Sequence, residues 1–145
     1  MRALDSEETV AVLERNGLGV LALDGGSYPY PLPVAYGYNA GEDLFVVQLA
    51  GDTDSEKQQC LAHNNHVGFT VYEETKPDSV WRSVVLQGYL TEISYQDAEP
   101  AFATLARNTQ RAPNPVLWDD ATSATDLTPY ELEVVSRTGR EFVIG

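Results

Sequence analysis

Residues 28–47, YPYPLPVAYGYNAGEDLFVV, decide the fold. Tyr30–Tyr38 is β-rich but contains Pro31 and Pro33. A proline cannot donate to a ladder, so this run reads as an edge strand or a bulged one. Asn39–Asp43 is a turn, and Leu44–Leu49 reads as a buried strand. Just upstream, Leu18–Leu23 is apolar and ends in the Asp24-Gly25-Gly26-Ser27 turn. Strand, turn, strand, turn, strand is the start of an antiparallel meander.

The flanks extend the pattern. Asp5 or Ser6 caps a short helix, with Glu8 in the capping-box position and Val10, Ala11 and Leu13 on the apolar side. Asn16-Gly17 reads as its left-handed exit. Beyond the meander, a polar loop at 51–54 leads to a helix from Ser55 to about His63. Val67–Tyr72 follows as a strand, with Val67, Phe69 and Val71 on one face. Trp81–Ile93 is the longest strand candidate, and Gly88 marks a bulge or a bend. A helix is predicted from about Tyr95 to Arg107, then a proline-bearing loop over Thr109–Thr128. Tyr130–Val135 is the last clear strand, continued by Glu141–Ile144 after a turn at Thr138-Gly139. Five or six strands with two or three short helices predict one mainly β, α+β domain over residues 1–145, closed as an antiparallel barrel or sheet. No GxGxxG follows a strand, which excludes a Rossmann nucleotide domain.

Composition narrows the partners. Twenty-two acids against nine bases give a net charge of −13, and the only lysines are Lys57 and Lys76. Such a field repels nucleic acid and anionic membranes, so neither is expected as a partner. The lysine-poor, acid-rich balance resembles that of haloarchaeal proteins, in which salt screens the self-repulsion. No run approaches the roughly 20 apolar residues of a membrane span. The acids in MRALDSEETV do not suit a signal peptide, and a cytoplasmic location is expected. A single cysteine, Cys60, excludes an intrachain disulfide or a cysteine zinc cluster and reads as a small buried residue. His63 and His66 lack a third ligand in sequence, so no metal is expected.

Four segments carry a family resemblance. They are 28–47 above, DSEKQQCLAHNNHVGFTVY (54–72), WRSVVLQGYLTEI (81–93) and YELEVVSRTGRE (130–141). In this order and spacing they resemble the pyridoxamine 5'-phosphate oxidase-like flavoproteins, in the subgroup that includes nitroimidazole-resistance proteins. The resemblance implies a six-stranded antiparallel split β-barrel of the FMN-binding type, working as a homodimer with the flavin between the subunits.

The resemblance also places the site. Pro33, Val34, Ala35 and Tyr36 match the strand whose backbone lines the flavin ring; an edge strand blocked by proline is the alternative. Gln48 and Leu49 match positions near the ribityl chain or ring. Ser55 and Lys57 open a helix, where free N–H groups, a hydroxyl and a positive charge favour a phosphate. Glu56 departs from the second base of many relatives and is expected to face solvent. Trp81, Arg82 and Ser83 form a third contact group, with Arg82 of the same or the partner subunit clamping phosphate. Trp118 either covers a substrate pocket or plugs the core.

The expected function is that of an FMN-dependent oxidoreductase acting on a small-molecule redox substrate. A non-catalytic flavin carrier, redox sensor or stress protein is the alternative. Pyridoxamine-phosphate oxidation itself is not expected, because only Arg137 and Arg140 remain to hold a substrate phosphate. A haem ligand is a third reading, with His63, His66 or Cys60 as the axial group.

Overall fold

The fold comes from a computed structural model, which describes residues 1–50, 55–75, 79–101, 103 and 127–144. The strands are β1 (Arg2–Ala3), β2 (Leu18–Asp24), β3 (Pro29–Asn39), β4 (Leu44–Ala50), β5 (His66–Thr75), β6 (Val80–Glu92) and β7 (Leu127–Val143). The helices are α1 (Ser6–Arg15), α2 (Glu56–His63) and α3, helical over residues 95–101. All strand pairs are antiparallel, in the order β1-β7-β4-β3-β2-β5-β6, and β6 pairs β7 again. Setting aside the two-residue β1, six strands therefore close on themselves. This is the expected split barrel.

Alternation fills the interior. Inward residues such as Leu21, Tyr36, Phe45, Phe69 and Leu86 are at most 2 % exposed. Tyr36 and Phe45 stack with centroids 4.8 Å apart, and Phe69 meets both edge-on. Each barrel end is closed by a helix. α1 begins with a full capping box, in which Asp5 accepts from the Glu8 N–H at 2.8 Å and Glu8 accepts from the Asp5 N–H at 3.2 Å. It inserts Val12 and Leu13, and the Tyr36 hydroxyl donates to the Leu13 carbonyl at 2.8 Å. α2 closes the other end with Cys60 buried, as expected. α3 packs Ala98 and Ala101 against Val46 on the outside of β4.

Two expectations are corrected. The exit of α1 is extended, with Asn16 at φ −112, because its side-chain amide satisfies the Val12 carbonyl at 2.8 Å instead. β7 runs unbroken through Thr138 and Gly139, where a turn was expected. Gly139 is glycine for closeness: an added Cβ would lie 2.5 Å from Thr9 Oγ1 and 3.0 Å from Leu4 Cβ. A short N-terminal strand, β1, also lies on β7, pairing Arg2 with Glu141. The bulge at Gly88 is present. The register steps from Gln87↔Ser136 to Gly88↔Val134, so Val135 of β7 is the extra residue. Most of the predicted Thr109–Thr128 loop, with Trp118, and the end of the helix expected to Arg107 lie outside the described residues. No helix among the described residues is long and apolar enough to cross a membrane.

Candidate functional site

The barrel is split at one seam, and the prolines mark it. β3 pairs with β2 from Pro29 to Ala35, but with β4 only from Tyr36 to Asn39. β4 turns away instead to pair Val46–Ala50 with β7. The β4-facing edge of β3 before Tyr36 therefore has no ladder partner among the described residues. The Tyr36 N–H points to β2, donating to the Gly17 carbonyl at 2.9 Å. Backbone groups of successive strand residues face opposite edges, so Pro31, Pro33 and Ala35 direct theirs to the open seam. Pro31 and Pro33 have no N–H to give. The seam then presents the Pro33 carbonyl as acceptor and the Ala35 N–H as donor. Proline here removes donors that would otherwise stand unpaired on an edge.

The four predicted strand residues thus separate into two kinds. Pro33 and Ala35 offer backbone to the seam. Val34 and Tyr36 turn their backbone to β2 and bury their side chains, 4 % and 0 % exposed. Burial pushes the Tyr36 phenol well above its ordinary range, so it stays protonated. On β4, Gln48 is half-buried and faces outward opposite Pro129, whereas Leu49 lies in the core at 1 % exposure.

β4 leads through residues 51–54 to the start of α2. Ser55 caps this helix, accepting from the Gln58 N–H at 3.3 Å and keeping its own hydroxyl proton to donate. Ser55 and Lys57 are half-buried and Glu56 is exposed. Lys57 makes no ion pair among the described residues. The Tyr130 hydroxyl donates to Gln58 Oε1 at 3.0 Å, which fixes the first turn of α2 against β7 beside Val47. The helix start is thus tied through Tyr130 to Val47, which pairs with Tyr36 where the seam opens.

The third predicted group lies elsewhere. Arg82 enters β6 at the opposite end of the barrel, paired with Glu73, whereas α2 sits where β5 begins. About 23 Å of strand separates Arg82 from that end. Its guanidinium is held by Glu141 at 2.9 Å and Glu73 at 3.3 Å. These contacts belong to a chain of alternating charges, Glu8–Arg2–Glu141–Arg82–Glu73–Arg15. Burial pushes the Glu73 carboxyl up, but hydrogen bonds from Arg15 and Asn16 and the charge of Arg15 outweigh it and hold the carboxyl below the ordinary range. One chain therefore does not bring Arg82 and Lys57 together on one phosphate. Trp81 and Ser83 face outward on the sheet, on the same side as Pro33 and Ala35. The Trp81 ring lies nearly parallel to Tyr72, at 6.2 Å and 14°. Tyr72 and the carboxylates around Arg82 were not singled out from the sequence, although alternation with Val67, Phe69 and Val71 already turns Tyr72 outward.

Solved structures share this architecture. An FAD-binding protein from Mesorhizobium loti superposes with a TM-score of 0.73 at 22 % identity, covering 97 % of both chains. A candidate 5-nitroimidazole antibiotic resistance protein from Bacteroides thetaiotaomicron gives 0.72 at 15 % identity, covering 98 % of this chain and 87 % of that one. A heme-binding protein from Mycobacterium smegmatis gives 0.69 at 18 % identity, covering 99 % of this chain and 59 % of that one. No curated protein matches the chain in sequence. The family model described as pyridoxamine 5'-phosphate oxidase matches residues 5–141. With a split barrel, a seam at β3 and a match over nearly its whole length, the chain belongs to the pyridoxamine 5'-phosphate oxidase family.

Proposed function

We propose that this chain binds FMN at the β3–β4 seam and acts as an FMN-dependent oxidoreductase. The observation that carries the reading is the seam itself. A flavin's pyrimidine edge alternates carbonyl and N–H groups, and the Pro33 carbonyl and Ala35 N–H offer the complementary acceptor and donor. Ser55, Lys57 and the free N–H groups of α2 suit a terminal phosphate, since a helix start concentrates donors and positive potential. Gln48 lies between the two. The bound flavin supplies the redox chemistry, while these residues hold and orient it.

A haem reading finds less support. Cys60 is buried, and His63 and His66 are exposed beside α2, with His66 set edge-on to Tyr89 at 4.6 Å rather than at the seam. Pyridoxamine-phosphate oxidation itself lacks a second phosphate site among the described residues. Arg137 lies over the Tyr38 ring and 3.5 Å from Asp43, and Arg140 rests beside Met1 Sδ. The third contact group completes the site only from another copy, so the reading includes a homodimer in which the partner contributes its Trp81, Arg82 and Ser83 face.

The test is a visible absorption spectrum after loading with FMN and filtration. Flavin retained by the natural chain and lost by Lys57→Glu supports the phosphate site. Reduction by a nicotinamide or deazaflavin donor and reoxidation by an acceptor then support an enzyme. Flavin that stays oxidised with every donor leaves a carrier or sensor. No retention at any salt concentration overturns the reading.

A further inference from the structure

Resting on the reading that Ser55 and Lys57 take the phosphate, we infer that the Tyr130 hydroxyl is a positioning group for that site. Through Gln58 it holds the start of α2 at a set distance from the seam, and so favours the phosphorylated flavin over riboflavin.

Tyr130 sits in the barrel core at 8 % exposure, where a phenylalanine would bury the same ring. Its hydroxyl adds a polar atom to that setting, and such an atom costs free energy unless it is hydrogen-bonded. It donates to Gln58 Oε1 at 3.0 Å. Burial raises the phenol above its ordinary range, so it keeps its proton and remains a donor.

Gln58 joins this bond to the helix cap. Its N–H donates to Ser55 Oγ at 3.3 Å while its side chain reaches β7. On the strand side, Tyr130 pairs with Val47, and Val47 pairs with Tyr36, where the β3–β4 pairing begins. The connection Ser55–Gln58–Tyr130–Val47–Tyr36 thus runs from the phosphate end of the site to its ring end, through two hydrogen bonds and two strand pairings.

The exit of α2 has a separate tether. Asn64 Nδ2 donates to Asp24 Oδ2 at 2.9 Å, which ties the helix exit to the end of β2. Cys60, between the two tethers, seats the buried face. Loss of the Tyr130 hydroxyl therefore loosens the helix start and leaves the exit in place. A flavin phosphate hangs from the ring on a flexible chain, so both ends bind together only when their subsites stand at a matched spacing. A helix start free to shift gives up part of that gain for FMN. Riboflavin has no phosphate to misplace.

The experiment follows flavin fluorescence as the full chain is titrated into FMN or riboflavin, for the natural protein, Tyr130→Phe, Gln58→Met and the double variant. Methionine keeps the length and helix preference of glutamine without its amide. Each single variant should weaken FMN roughly 3- to 10-fold, the loss of one neutral hydrogen bond, and leave riboflavin unchanged. The double variant should lose no more than either single one, because both remove the same bond. An equal loss for the two ligands shows that the hydroxyl supports only the barrel and overturns the inference. Losses that add overturn it as well. A natural chain that does not prefer FMN to riboflavin removes the phosphate site itself, and the inference with it. A preference that survives undiminished in Tyr130→Phe removes the positioning role alone.

Discussion

Lys57 is the residue on which the phosphate assignment turns. An ammonium at the second position of a helix opposes the helix dipole, and in a chain with two lysines this placement asks for an anionic partner. Lys57→Ala should weaken FMN by about 1.5–3 kcal/mol, roughly 10- to 100-fold, the usual range for a charged hydrogen bond. Riboflavin, which lacks the phosphate, should bind both forms alike. Titration of flavin fluorescence with the two ligands checks this, and an equal loss for both would remove Lys57 from the phosphate. Gly139 makes a different demand. Gly139→Ala would drive a methyl into Thr9 and Leu4, so thermal unfolding should report a loss of about 1–3 kcal/mol.

At the scale of elements, the ion-pair chain ties β1 and α1 to β5, β6 and β7 at one end of the barrel. Glu8, hydrogen-bonded by Arg2, is held down to about 2, and Glu141 is also held below the ordinary range, by hydrogen bonds from Arg2 and then Arg82. A carboxyl that titrates lower folded than unfolded stabilises the fold above its unfolded value and loses that contribution as pH falls. The urea midpoint should therefore drop as pH goes from the ordinary glutamate value of 4.5 towards 2. Glu131 has the opposite sign, because burial and then its acidic neighbours raise it, and it partly offsets the drop. Glu73→Gln should lower stability at pH 7 by about 1–3 kcal/mol, since Arg15 and Arg82 lose a largely buried acceptor. It should also make the acid transition shallower. An unchanged transition would show that the cluster does not set it.

For the whole molecule, a net charge of −13 on 145 residues predicts that salt stabilises the chain by screening its self-repulsion. The melting temperature should rise from low salt to molar salt, and a flat response would remove the salt-rich habitat from the reading. Local rules made much of the fold legible. The Asp5–Glu8 capping box, the Ser55 helix start, the Gly88 bulge and the alternation of β2, β4 and β5 depend on residues a few positions apart, whose physics is written in sequence order. Pro31 and Pro33 also announced an open edge, because a missing N–H is a property of the residue alone. What the sequence by itself determined was therefore the elements, their inward faces and the composition of the seam. Only the tertiary structure decided that Gly139 meets Thr9 within a continuous strand, that Arg82 lies between two carboxylates at the end away from Lys57, and that Tyr72 lies against Trp81 on the outer face. Each of these depends on which distant strands become neighbours, and that is settled by closure of the whole barrel rather than by any one segment.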